Sequence, residues 1–495
     1  MLEAMWQGLL MIFVPSKLLL LVTGVAIGTA VAIFPGVGAV VALSIILPYL
    51  IHMEPVAAIA MMMGVFGVIN TADSITAVLL GIPGTGGGAP TILEGHPMAR
   101  KGEAARALGA SFSASLVGGI IGCVGLALSI PILGVLIKQF GSPEFLMLSL
   151  FGIASVAGLG GGQVVKSLIS AGLGLFLAGM GGAALTPYFR YTMGLTYLYD
   201  GFPLPVVALG LFGIVEMIEL VVRGTPIGGM VKMDVGVWTG FKDCYSHIWL
   251  VIRSSLIGIY VGLAPGAGST ISAWMAYGFA AQSAKRSGGQ FGKGDVRGLL
   301  APEAANNACR AGDLVTTLLF GVPGSATCAL ILMSLIMFGI FPGPSMVGKN
   351  LPITWSFVWS LGLATIIGVT ICSFLAKPLS KIAILPIQTL APMIIVIIVM
   401  GAFQATQTWG DLIALIVFAA LGWIMKETGF SRPPLIVGFV LGGLIERYLG
   451  LSLQRYGWAF MWRPWVIILS FCIIAALWAG VRVTKKGERV ETGER

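Results

Sequence analysis

Charged side chains are scarce in this sequence. Asp, Glu, Lys and Arg together make up 10% of its 495 residues, whereas a soluble globular chain is roughly a quarter charged. Mean hydropathy is +0.97, and apolar segments that approach the length of a membrane-spanning helix recur from end to end. The sequence therefore predicts an all-α polytopic membrane protein with about 10–12 membrane helices, some of them broken or re-entrant.

Several kinds of functional residue are also missing. The six cysteines stand singly, without metal or redox spacing, and His52, His96 and His247 have no ligand or triad neighbours. The glycine-rich stretches at 84–88 and 288–294 lack the Lys-[Ser/Thr] of a nucleotide loop. No polar stretch is long enough to form a soluble catalytic domain. We therefore expect no metal site, no cofactor, no ATPase and no enzyme.

The charges that are present indicate membrane topology. The net charge of +9 comes from short loops and a basic C-terminal tail, which is typical of cytoplasmic loops and does not indicate nucleic-acid binding. The N-terminal residues 1–13 contain no cationic run and no small-residue cleavage site, so we expect no signal peptide.

Glycine, by contrast, is abundant. The chain has 70 glycines, about twice the usual 7%. Many recur at four-residue spacing, which lets membrane helices approach each other closely. This pattern predicts tight helix packing at Gly24 and Gly28, Gly118 and Gly122, and Gly258 and Gly262.

Two proline-glycine motifs occur twice, in the same order. Residues 28–38 match 258–268 at a shift of 230, and residues 73–85 match 313–325 at a shift of 240. This indicates an ancient duplication. The N-terminal half, 1–230, carries its motifs at 35–38 and 81–85, and the C-terminal half, 231–495, carries them at 265–268 and 321–325.

Loop charges predict that the two halves are inverted. The loop at 48–55 has no Lys or Arg, and its counterpart in the second half is basic. After the second pair of motifs the asymmetry reverses. By the positive-inside rule, matching loops then lie on opposite sides of the membrane. In the counterpart of the loop at 48–55 the basic residues are Lys285, Arg286, Lys293 and Arg297. After the motif at 81–85 they are Arg100, Lys101 and Arg106, whereas the connection that follows the motif at 321–325 has Lys349 alone.

The repeated motifs have the composition of broken membrane helices. Proline removes a backbone hydrogen bond and glycine permits unusual backbone angles, and the freed N–H groups at a new helix N-terminus attract anions. We therefore expect substrate-binding residues at Pro35, Gly36, Gly38, Pro83, Gly84, Thr85, Gly86, Pro265, Gly266, Gly268, Ser269, Thr270, Pro323, Gly324 and Ser325.

Polar residues beside the motifs are candidate ligands of a coupling cation, Na⁺ or H⁺. They are Asn70, Asp73, Ser74, Asn306, Asn307 and Asp313. Two alternatives remain open for the two aspartates: each could cap a helix, or each could form a salt bridge, for example with Arg310.

Together these motifs resemble the large membrane subunit, TctA, of the tripartite tricarboxylate transporters. The similar stretches are 36–38, 74–85, 93–102, 265–268, 302–308 and 321–325, and Glu94, where the family more often has Asp, reads as a conservative loop change. The resemblance implies carboxylate uptake across a bacterial inner membrane. It also implies two partners, a periplasmic binding protein that delivers the substrate and a small four-helix membrane subunit.

Residues and resemblance favour ion-driven secondary transport of a carboxylate anion, such as citrate or a related di- or aromatic carboxylate. The lipid bilayer is the remaining partner. An anion channel and a membrane-embedded enzyme are the alternatives. The sequence does not specify the anion, the coupling ion, the helix count or the oligomeric state.

Overall fold

The chain folds almost entirely into helices. The computed structural model describes residues 1–34, 38–50, 52–159, 163–183, 185–223, 236–285, 291–383 and 387–491. The other elements in these ranges are short 3₁₀ turns, a π-helical segment at Leu209–Ile214 that joins two of the α-helices, and a small antiparallel hairpin of β1 (Gly181–Gly182) and β2 (Phe189–Arg190).

The helices of the first half are α1 (Leu2–Ile12), α2 (Pro15–Ala32), α3 (Ala39–Leu50), α4 (Pro55–Leu80), α5 (Ala89–Arg100), α6 (Ala104–Ile137), α7 (Ser142–Leu159), α8 (Val164–Ala178), α9 (Leu204–Ala208) and α10 (Val215–Arg223). Those of the second half are α11 (Val237–Ser246), α12 (Ile248–Gly262), α13 (Gly268–Lys285), α14 (Val296–Phe320), α15 (Ala326–Met337), α16 (Leu351–Ala383), α17 (Ile387–Phe403), α18 (Trp409–Glu427), α19 (Arg432–Tyr456) and α20 (Pro464–Glu491).

Within the described ranges, eight helical segments are long and apolar enough to cross a membrane. The pair α11–α12, which bends by 82°, would make a ninth span. Several shorter apolar helices accompany them, among them α3 and α15 with 12 residues each. The predicted all-α polytopic membrane fold is confirmed.

Glycines set the closest helix contacts, as predicted. A Cβ on Gly28 of α2 would lie 2.9 Å from Val65 Cα of α4, and one on Gly258 of α12 would lie 2.9 Å from Ala305 Cα of α14. Real side chains do not fit at such distances. The pairs α2–α4 and α12–α14 are therefore packed backbone to backbone, and the same occurs where Gly118 of α6 meets α14.

The packing of the first six helices recurs in α11–α16. In addition to the pairs just described, α16 packs on α4 as α6 packs on α14, and α1 packs on α16 as α11 packs on α6. Each half thus covers the central helix of the other. The predicted boundary at residues 230 and 231 lies outside the described residues.

Helices α4 and α14 form the centre of the molecule, and almost every residue along both is buried. They cross in antiparallel orientation. Asn70 of α4 donates to Asn306 Oδ1 of α14 at 2.8 Å, while Arg310, one turn further along α14, bonds to Phe66, one turn earlier on α4. This crossing places polar side chains from both halves of the chain at one point.

Candidate functional site

A cavity of about 360 Å³ lies beside the α4–α14 crossing. Its walls come from both halves of the chain, including both predicted Gly-[Ile/Val]-Pro-Gly-[Thr/Ser] loops. The lining residues are Gly38, Ala39, Phe66, Asn70, Pro83, Gly84, Thr85, Gly86, Ser269, Arg310, Asp313, Ser325 and Thr327.

The two loops have the same local geometry. Helix α4 ends at Gly81 with φ 69°, and α14 ends at Gly321 with φ 67°, the left-handed conformation that favours glycine. Each loop then folds back on its own helix. A Cβ on Gly84 would lie 2.6 Å from Asp73 Cβ, and a Cβ on Gly324 would lie 2.7 Å from Asp313 Cα.

Both aspartates lie well inside their helices. Asp73 accepts a hydrogen bond from the hydroxyl of Thr85 in its own loop, and its second oxygen, Oδ1, has no hydrogen-bond partner among the described residues. Asp313 lines the cavity. Neither residue caps a helix, so that alternative is wrong for both. Neither forms an ion pair with Arg310 within 4 Å in the described part of the chain.

Arg310 is the cation of this site, and it was weighed in the sequence only as a salt-bridge partner. It is the one buried Lys or Arg among the described residues, with 5% of its surface exposed. Its guanidinium donates to the Phe66 carbonyl and to Asn70 Oδ1 and stacks 4.4 Å from the Phe66 ring centroid. A basic side chain inside an apolar helix is the signal that would have identified it.

The Pro-Gly-x-Gly motifs contribute less to the walls than expected. Pro35 and Gly36 lie outside the described residues, and Gly38 lines the cavity. In the second half only Ser269 does so. Six predicted residues do not line the cavity, namely Pro265, Gly266, Gly268, Thr270, Pro323 and Gly324.

These second-half residues support the loops. Gly266 has φ 82° and donates its N–H to the Gly324 carbonyl at 2.8 Å, which ties the motif to the loop after α14. Thr270 lies directly against Gly86, where a Cβ would collide with its hydroxyl. The motif therefore holds both loops in place.

Behind the cavity is a buried polar layer. Asn307 accepts from Thr71 at 3.2 Å and donates to Ser115 of α6 at 2.8 Å. Glu303, one turn earlier on α14, is fully buried and accepts from Thr91 at 2.6 Å and from Ser115 at 3.2 Å. The sequence motifs did not single out Glu303, although a glutamate in a buried membrane helix is itself a signal of function.

Glu94 is not the loop residue that the sequence suggested. It lies inside α5, fully buried. Its carboxylate accepts from the backbone N–H groups of Gly292, Gly294 and Asp295, the latter two at 2.7 and 2.8 Å, and from the Tyr277 hydroxyl at 2.9 Å. Glu94 thus fastens α5 to the segment that starts α14.

Glu94→Gln should destabilise the protein by about 1–3 kcal/mol, because the amide has one acceptor oxygen and buried N–H groups lose their partner. Thermal unfolding of the purified chain in detergent would measure the change. The control is Glu54→Gln, since Glu54 forms an exposed pair with Lys17 that contributes about 0–1 kcal/mol. Equal unfolding midpoints for the two variants would contradict the fastening role.

Comparison with known proteins places the whole site inside one family. Residues 18–437 match the model of the family described as "Tripartite tricarboxylate transporter TctA family". A protein of Agrobacterium vitis described as "Uncharacterized 52.8 kDa protein in TAR-I ttuC' 3'region" is 29% identical over 435 residues, which cover 88% of this chain and 86% of the relative. A second Agrobacterium vitis protein, "Uncharacterized protein in TAR-II ttuC' 3'region", is 29% identical over 192 residues, 39% of this chain and 79% of the relative. No solved structure matches.

Proposed function

The chain belongs to the tripartite tricarboxylate transporter TctA family, and from that membership we propose that it performs ion-driven uptake of carboxylate anions across a bacterial inner membrane. A periplasmic binding protein delivers the anion, and a small four-helix membrane subunit completes the transporter. The observation that supports this function most directly is the cavity, in which a buried arginine faces hydroxyl groups from two equivalent loops.

The cavity offers a carboxylate the groups that it needs. Arg310 lines the cavity and donates from each of its two Nη atoms within the protein, and each Nη carries a second N–H. Ser325 supplies a hydroxyl from the second loop, while Thr85, at the equivalent position of the first loop, gives its one hydroxyl hydrogen to Asp73. Helix α15 begins at Ala326, so its N-terminus adds backbone N–H groups that favour a negative charge.

The halves 1–230 and 231–495 act, in this proposal, as inverted repeats. At the shift of 240, Phe66 corresponds to Asn306 and Asn70 to Arg310. The contact between Asn70 and Asn306 therefore corresponds to the contact between Arg310 and Phe66. A two-fold axis that relates antiparallel helices is perpendicular to them. For membrane-spanning helices such an axis lies in the membrane plane, and alternating access follows from motion of one repeat against the other.

Asp313→Asn should abolish ion-dependent uptake, because an amide no longer attracts a coupling cation at the cavity wall. The amount of protein in the membrane should not change. Asp411→Asn is the matched control, since Asp411 is equally buried but bonds to Tyr197 and Thr406, far from the cavity lining. Gradient-stimulated uptake that persists in Asp313→Asn would remove the aspartate from the coupling mechanism.

The function itself is tested with right-side-out vesicles that carry the chain and the small membrane subunit, with the periplasmic binding protein added outside. Labelled citrate, succinate and benzoate serve as probes, with an imposed Na⁺ or H⁺ gradient. Saturable uptake of one probe that needs both the binding protein and a gradient is the expected result. Flux that only equilibrates the probe, without the binding protein, would identify an anion channel instead.

A further inference from the structure

We propose that Asp73 and Glu303 together bind one coupling Na⁺ ion in the polar layer behind the cavity. The inference rests on the proposed transport function, because it specifies the cation and its ligands. Glu303 is the new member of the site. It comes from the second half of the chain, whereas Asp73 comes from the first.

The two carboxylates come from facing positions of the central helices, and neither has any exposed surface. The antiparallel crossing pairs Asn70 with Asn306 and Phe66 with Arg310. Asp73, three residues after Asn70, therefore lies opposite Glu303, three residues before Asn306. Asp73 Oδ1 is buried and has no hydrogen-bond partner among the described residues, and the same holds for the hydroxyl of Ser74, the next residue on α4. Two neighbouring residues of α4 therefore each leave a buried oxygen unsatisfied.

Charge balance requires bound cations or protons here. Asp73, Glu303 and Asp313 carry three negative charges when ionised, and Arg310 supplies one positive charge, which leaves two negative charges in a buried region. An uncompensated buried charge is strongly unfavourable, and an anionic substrate increases the imbalance. One cation at Asp73 and Glu303, and a second at Asp313, would restore neutrality before the substrate binds.

The surrounding atoms favour Na⁺ over a proton. A proton needs one carboxylate oxygen, whereas hard metal cations bind several oxygen ligands. Thr91 and Ser115 bring hydroxyl oxygens to Glu303 at 2.6 and 3.2 Å, and the unpartnered Ser74 hydroxyl follows Asp73 on α4. Neutral hydroxyls beside two carboxylates provide the number of oxygens that a dehydrated monovalent ion requires.

The site is connected to the substrate cavity through one loop. Thr85 donates to Asp73 and also lines the cavity. An ion that orders the Asp73 carboxylate therefore also fixes the position of Thr85 in the cavity wall. By thermodynamic reciprocity, bound substrate must raise the affinity for the ion by the same factor.

The test measures Na⁺ binding without transport. The purified full-length chain in detergent is unfolded thermally across a NaCl titration, with choline chloride holding the ionic strength constant. A ligand that binds the folded state raises the unfolding midpoint, so the wild type should show a saturable increase with Na⁺. Glu303→Gln should lower the apparent Na⁺ affinity by about tenfold or more, the range seen when metal-site residues are replaced.

Glu144→Gln is the matched control, because Glu144 is also fully buried but bonds to Arg463 and to the Gly141 N–H. It should keep the wild-type Na⁺ response. If Glu303→Gln does not fold, Thr91→Val serves instead. Valine has nearly the shape of threonine but lacks the hydroxyl, so this variant should also weaken Na⁺ binding.

Three results would overturn the proposal: a wild-type midpoint that rises equally with K⁺ or choline, a response to pH or Ca²⁺ in place of Na⁺, or an unchanged Na⁺ response in both Glu303→Gln and Thr91→Val. The unfolding experiment contains no substrate, so it is independent of transport. If the chain binds Na⁺ but fails the vesicle uptake test, the transport function is refuted and the Na⁺ site is not.

Discussion

Replacing Arg310 by Lys should reduce substrate uptake by roughly 30- to 5,000-fold. This range corresponds to about 2–5 kcal/mol, the loss expected when one partner of a buried, hydrogen-bonded charge contact is removed. Lysine keeps the positive charge but lacks the planar fork of the guanidinium. Its three N–H groups all come from one nitrogen, so it cannot keep the positions of the bonds to the Phe66 carbonyl and Asn70 Oδ1 and also present a further N–H where the guanidinium does.

Uptake of the probe identified in the vesicle experiment would measure this loss, and thermal unfolding would separate it from misfolding. Arg253→Lys is the control, since Arg253 lies on the neighbouring helix α12 with its side chain exposed. Uptake within a few-fold of wild type in Arg310→Lys would show that the cavity requires only a positive charge, and the role assigned to the further N–H of the guanidinium would be wrong.

The sequence was sufficient to predict the all-helical fold and the two loops of the cavity. Both predictions rest on local properties. Apolar segments of membrane length form helices whatever surrounds them, and Gly81 and Gly321 end their helices because glycine readily adopts a positive φ. Since Thr85 and Ser325 directly follow these turns, their place in the cavity wall could be anticipated.

The partners of the buried charges could not be predicted in this way. Glu303 meets Thr91 and Ser115, which are 212 and 188 residues away in the sequence. Arg310 meets Asn70 through the antiparallel crossing of α4 and α14. Sequence spacing contains no information about such crossings. In each case the sequence shows a charged residue within an apolar helix, but it does not show the hydrogen-bond partners of that residue.

A helix cap is an alternative for both aspartates on the sequence alone, because aspartate at a helix boundary is a common N-cap. In the structure α4 continues to Leu80 and α14 to Phe320, since both helices are buried along their whole length and lose stability if they end sooner. The carboxylates therefore lie about two turns inside their helices.

Gly84→Ala and Gly324→Ala should each reduce uptake by roughly 5- to 150-fold, which corresponds to the 1–3 kcal/mol that overpacking usually costs. The added methyl would lie 2.6 Å from Asp73 Cβ in the first variant and 2.7 Å from Asp313 Cα in the second. In both, the loop must move away from its aspartate, and its hydroxyl leaves the cavity wall.

Gly172→Ala in α8 is the control, because no atom lies within 4 Å of the added methyl and alanine favours a helix more than glycine does. Uptake by this variant should match the wild type. If the halves are inverted repeats that alternately open the same cavity, one loop cannot compensate for the other, so the two test variants should show comparable losses. A large loss in one variant and none in the other would contradict the equivalence of the two loops, even though their local geometry is the same.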